Sequence, residues 1–206
     1  MPAITADAEL HELLTRTVGP ACHELRSPLA VVYGFAKMLE GKAGIDDTSR
    51  RYVSSIVESA QRLDELLDEL GGVGRIAAGR SRPDVQSTSV ATLIAAVREL
   101  PANVARMRVQ PGEDAHVCVD GEWARHAVEA VVDALCYDES ATVDMGWTVA
   151  PEEVQLMIRP GPGSFAIDVS PERSSLQLAL ARMRLRAMGG SIEGEHDGAV
   201  RLTLPR

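Results

Sequence analysis

From Ala6 to Glu40, apolar residues return at steps of mainly three and four: Leu10, Leu14, Val18, Ala21, Leu25, Val32, Phe35 and Leu39. That period predicts one long helix with an apolar stripe. Pro28 falls inside it, where a proline removes one backbone hydrogen bond and crowds the preceding turn, so a bend is expected there. Gly41 to Asp47 reads as a short loop, with Asp46 or Asp47 placed to cap the next helix. A second helix is predicted from about Thr48 to Ile76, with Tyr52, Ile56, Ala60, Leu63, Leu67, Leu70 and Val73 on its apolar side. Gly71, Gly72 and Gly74 weaken its end. Two such helices make a hairpin. A lone hairpin leaves much apolar surface in water, and pairing two copies into a four-helix bundle removes it, so a homodimer is expected. The competing arrangement packs the hairpin on the C-terminal half of its own chain.

Past the polar connector Gly79–Pro83 the period changes. Val90–Leu100, Glu122–Tyr137 and Pro171–Met188 read as helices, the last closed by Gly189-Gly190. Val104–Gln110, Ala115–Val119, Ala141–Val149, Val154–Arg159, Phe165–Val169, Ser191–Gly194 and Ala199–Leu204 read as strands. This order predicts an α+β fold: a helical hairpin over residues 1–80, then an α/β sandwich over 84–206 with helices on one face of a sheet.

Composition narrows the class. Aromatics are only 3% of 206 residues, so the core must rest on Leu, Val, Ile, Ala and Met. A net charge of −9 argues against non-specific nucleic-acid binding. No run approaches the roughly 18 apolar residues that span a bilayer, and no signal peptide is legible at the N-terminus. No membrane contact and a cytoplasmic location are therefore expected. Cys22, Cys118 and Cys136 are odd in number and widely spaced, which reads as reduced thiols. His116, Cys118, His126 and Cys136 fit no compact zinc spacing and are taken as packing residues, so no metal is expected. Arg182, Arg184 and Arg186 read as a solvated helix face.

One histidine stands apart from the apolar pattern. At about 100° per residue, His23 lies roughly opposite Leu25 and Val32. Ser27, Ala30, Gly34 and Lys37 fall within about 40° of it, with Arg16 on the same side one step earlier. Small residues let another protein's backbone approach closely, so Arg16, Arg26, Ala30, Gly34 and Lys37 form a candidate docking surface beside His23. A neutral imidazole is a good nucleophile towards phosphorus. Glu24 could hold or deprotonate the ring, and Ser27 could position a water or an incoming carboxylate.

The string His23-Glu24-Leu25-Arg26-Ser27-Pro28-Leu29 resembles the H-box of sensor histidine kinases, with Ser27 keeping the hydroxyl of the family's threonine. Arg75-Ile76-Ala77-Ala78-Gly79 resembles that family's exit from its second helix. The resemblance implies that His23 is the phosphoacceptor, that Glu24 is the base for phosphoryl transfer, and that Glu24 with Ser27 are candidates for dephosphorylation. Residues 85–206 resemble the family's ATP-binding domain in layout. Glu129 and Asp133, however, stand at the two positions of its asparagine box, and Cys136 replaces the usual lysine. Arg159-Pro160-Gly161-Pro162-Gly163 aligns with Asp-x-Gly-x-Gly, putting an arginine, which cannot accept a hydrogen bond, where an aspartate contacts adenine. Glu172-Arg173-Ser174-Ser175-Leu176 stands in place of the glycine-rich lid. The resemblance therefore implies a histidine phosphotransferase on a degenerate kinase scaffold. It would exchange phosphoryl groups between His23 and an aspartate of a response-regulator receiver domain. The receiver would bring Mg²⁺, and neither ATP nor any cofactor of this chain's own is expected. An upstream histidine kinase is a second candidate partner. Two other readings are a divergent but active ATP-dependent kinase and a non-catalytic adaptor that regulates a kinase.

Overall fold

The computed structural model describes residues 3–42, 44–100, 103–136, 140–164, 167 and 175–206, with side chains of the first helix from Thr17 onward. The chain divides into two compact units, Met1–Ser81 and Arg82–Arg206.

The first unit is a helical hairpin of α1 (Ala3–Glu40) and α2 (Asp47–Ala77). Asp46 starts α2, its carboxylate accepting from the Thr48 and Ser49 backbone N–H groups. α1 runs unbroken through Pro20 and Pro28. Because Pro28 has no N–H, the carbonyl of Glu24 loses its helical donor beside His23. Small residues dominate the buried seam: Cys22 and Ala36 from α1, and Val53, Val57, Ala60, Gly71, Gly72 and Gly74 from α2. Arg26 ties the helices together, with Nε 2.9 Å from the Asp64 carboxylate and a further ion pair to Asp68. The larger apolar side chains point elsewhere. Leu25, Val31, Val32, Phe35, Met38 and Leu39 of α1, with Tyr52, Ile56 and Leu63 of α2, are exposed.

The second unit comprises β1 (Gln86–Ser89), α3 (Val90–Arg98), β2 (Met107–Gln110), β3 (His116–Val119), α4 (Gly121–Leu135), β4 (Val143–Val149), β5 (Glu153–Pro160), α5 (Leu176–Ala187), β6 (Ser191–Gly194) and β7 (Val200–Pro205). The main sheet has the order β2-β4-β5-β7-β6; β2 is parallel to β4 and the other pairs are antiparallel. β1 and β3 form a separate antiparallel pair. Alternate residues of the central strands are buried: Val143, Met145 and Trp147 on β4, Val154, Leu156 and Ile158 on β5, and Val200, Leu202 and Leu204 on β7. They join Leu93, Ile94, Val97, Val128, Val131, Leu135, Leu178 and Leu185 of the helices in one core, so the helices cover a single face of the sheet.

Apart from Ile167, the strand expected at Phe165–Val169 lies outside the described residues, as do the lid-position residues Glu172, Arg173 and Ser174. β1, an all-polar stretch, was not expected from the pattern. The solvated arginine face is corrected by the structure: Arg182 is buried and Arg184 half-buried, leaving only Arg186 of the three exposed. α5 packs along α4, and the Arg184 charge acts on His126 and Glu129 there.

Candidate functional site

α1 presents His23 to solvent, with Glu24 and Ser27 also exposed beside it. Ser27 lies four positions after His23, one turn on along the same face. The same face continues through Ala30 and Gly34 to Lys37. Ala30 is exposed, and a Cβ built on Gly34 would meet nothing within 4 Å, so this strip is low and open. Lys37 folds onto Glu40, with Nζ 2.9 Å from the carboxylate. Arg26 points towards α2 and donates hydrogen bonds to its two carboxylates, first Asp64 and then Asp68, which hold the guanidinium above the ordinary arginine range. The Arg16 side chain lies outside the described residues.

Two hollows flank this strip. A groove of about 610 Å³ between the helices is lined by Arg26, Leu29, Ala30, Tyr33, Ala60, Gln61, Asp64 and Glu65. On the other side of Arg26, a smaller cavity of about 110 Å³ is lined by His23 itself, with Gly19, Cys22, Arg26, Leu67, Asp68, Gly71, Gly74, Arg75 and Arg80. Sequence reasoning missed Tyr33, Gln61, Asp64 and Glu65 on the groove and Arg75 and Arg80 on the cavity. The readable signal was the pair Asp64 and Asp68, one turn apart on a helix due to return past Arg26.

The second unit carries charged pairs at the positions likened to nucleotide contacts. Glu129 is ion-paired with Arg125 one turn before it on α4. Burial raises the Glu129 carboxyl above its ordinary value, with Arg125 opposing. The other Arg125 amine lies 2.7 Å from His126 Nε2. An arginine only donates, so Nε2 accepts and the ring is neutral. The loop Gly161–Ser164 closes on Thr142: Gly161 N–H donates to the Thr142 carbonyl at 2.7 Å, and Ser164 Oγ donates to the same oxygen at 2.5 Å. A Cβ at Gly161 would sit 2.6 Å from Thr142 Oγ1 and 2.9 Å from Arg108 Nη2, so only glycine fits. Arg159, opposite Asp144 in the β4–β5 register, is exposed and 3.9 Å from Asp197. Asp144 is instead held by Arg108 at 2.9 Å.

Among the described residues, no group of three or more His, Cys, Asp or Glu side chains is placed to hold a metal ion, and no helix is long and apolar enough to cross a membrane.

Residues 13–79 match the His Kinase A (phospho-acceptor) domain family. A stretch of 92 residues is 28% identical to the sensor protein DivL of Caulobacter vibrioides, covering 45% of this chain and 12% of DivL. Among solved structures, full-length ShkA in complex with AMPPNP superposes with a TM-score of 0.69 at 20% identity, over 92% of this chain and 45% of that one. Histidine kinase ThkA in complex with the response regulator protein TrrA gives a TM-score of 0.62 at 18% identity, over 96% of this chain and 63% of ThkA. The chain thus spans only part of each relative's length, and the structural likeness establishes the fold.

Proposed function

From the premise that this chain belongs to the sensor histidine kinase family, we propose that it is a cytoplasmic, homodimeric histidine phosphotransferase of a phosphorelay. It exchanges phosphoryl groups between His23 and an aspartate of a response-regulator receiver domain, and an upstream kinase charges the relay. The observation that carries this reading is the contrast between the two units. His23 stands free on an open strip with a groove beside it, while the positions likened to nucleotide contacts are taken by Arg159 and by the Arg125–Glu129 pair. A guanidinium at position 159 cannot take a hydrogen bond from an adenine amine.

The receiver docks along Ala30, Gly34 and the inter-helix groove, where small side chains allow close approach. The receiver supplies Mg²⁺; this chain supplies the nucleophile and its positioning. Glu24 is close enough in sequence to orient the ring or take its proton, and Ser27 to position the incoming carboxylate. The exposed apolar face of the hairpin supports pairing of two copies. No disulfide joins Cys22, Cys118 or Cys136, in keeping with a reducing compartment.

The test labels the purified chain, wild type and His23→Gln, from radiolabelled Mg²⁺-ATP and separately from a phosphorylated receiver domain. Label from the receiver alone, absent from His23→Gln, is the expected result. Label on His23 directly from ATP would replace this reading with that of an active kinase. Equal label on the variant would dismiss His23 as acceptor.

A further inference from the structure

We infer that Arg75 and Arg80 form an anion seat for the phosphoryl group carried on His23. The inference rests on the phosphotransfer reading above and says how the chain holds its charged intermediate.

The first observation is the charge around the cavity beside His23. Three guanidiniums line it, those of Arg26, Arg75 and Arg80, against one carboxylate, Asp68. Asp68 is already ion-paired with Arg26, which also holds Asp64. Arg75 and Arg80 therefore keep their charge for whatever enters. A phosphoryl group on histidine carries close to two negative charges and three acceptor oxygens, and the planar arginine fork matches that geometry.

The second observation is the backbone opposite. α2 places Gly71, Gly72 and Gly74 inside a helix, where each glycine costs about 1 kcal/mol relative to alanine. Two of them make room at the cavity. A Cβ on Gly71 would lie 3.2 Å from Arg75 Nη1, so the bare glycine leaves room for the guanidinium to lie back along α2 at the wall of the cavity that His23 also lines. A Cβ on Gly74 would lie 3.1 Å from the Val18 side chain, so its absence lets α1 come close. The helix thus gives up intrinsic stability along the stretch that shapes this cavity.

In the step so served, the lone pair of a neutral His23 ring nitrogen attacks the phosphorus of the receiver's aspartyl phosphate. The N–P bond forms as the P–O bond to the receiver breaks, and its electron pair leaves with the aspartate carboxylate. The ring's other N–H proton passes to Glu24 or water. The oxygens left on the transferred group turn towards Arg75 and Arg80.

The experiment loads His23 chemically with phosphoramidate, so that no partner is needed, and follows the phosphohistidine by phosphorus NMR across pH. It compares wild type, Arg75→Gln/Arg80→Gln and Arg75→Lys/Arg80→Lys, then measures transfer from each to a receiver domain. The seat predicts that the phosphoryl group in the wild type loses its second proton at lower pH than in the glutamine variant. It also predicts at least about tenfold slower transfer in that variant, with partial rescue by lysine. Superimposable titrations and rates in wild type and glutamine variant, with wild-type transfer intact, would overturn the seat alone. A shifted titration in a wild type that never exchanges with any receiver would keep the seat and overturn the transfer reading.

Discussion

His126 shows how much one side chain on α4 can tell about the charged network there. Its Nε2 takes a hydrogen bond from Arg125, and its Nδ1 is buried without a hydrogen-bond partner. Burial lowers its basicity first, followed by the nearby charges of Arg125 and Arg184; Glu122 and Asp120 oppose them. The folded state therefore binds this proton less readily than the unfolded chain. The stability it contributes is present above the unfolded value of about 6.5 and is lost as pH falls below it. Glu129 works with the opposite sign, because burial raises its carboxyl and the folded state keeps that proton longer as pH rises above the ordinary carboxylate value. The two are separated by His126→Gln, which accepts from Arg125 but never titrates. Melting curves between about pH 7 and pH 5 should show the variant gaining on the wild type as pH drops. A constant difference across that range would mean that His126 titrates equally in both states.

At the scale of the element, α1 combines two demands that its sequence meets separately. A helix interior favours alanine over glycine by about 1 kcal/mol, yet position 34 is glycine with open space around its missing Cβ. Gly34→Ala should therefore raise the melting point of the hairpin, by about 1 kcal/mol of stability. It should at the same time slow transfer to a receiver that approaches along this strip. Higher stability with unchanged transfer kinetics would remove Gly34 from the docking surface. Both helices and most of the strands were legible from periodicity alone, because three- and four-residue steps and strict alternation survive in the bare sequence. β1 was not, since Gln86-Ser87-Thr88-Ser89 shows no alternation and is a strand only through its pairing with β3. The stripe through Leu25, Val32, Phe35 and Leu39 was legible as apolar but not as to its neighbour; the seam with α2 uses Cys22 and Ala36 instead. Periodicity marks an apolar side and does not say what covers it. His23 stands out in the sequence by its own short string, whereas Arg75 and Arg80 reach the cavity it lines only because α2 returns past α1.

The hairpin as a whole exposes more large apolar surface than a lone unit normally leaves in water. Phe35, 63% exposed, lies amid it, with Leu39, Val32 and Val31 on its own helix and Tyr52, Ile56 and Leu63 on the next. In a two-fold bundle each such residue is buried twice, once per copy, so one substitution counts double. Burying a phenylalanine is worth about 1.5–3 kcal/mol, so Phe35→Asp should weaken association by about 3–6 kcal/mol, or roughly 10²–10⁴-fold. Light scattering should then find the wild type at twice the 22.1 kDa chain mass and the variant at the single mass. The seam formed by Cys22, Ala36, Val53, Val57 and Ala60 does not include Phe35, so the variant's hairpin should still form and phosphoramidate should still load its His23. A variant that remains dimeric would show that this apolar face is covered by something other than a second copy, and would place the dimer contact elsewhere on the chain.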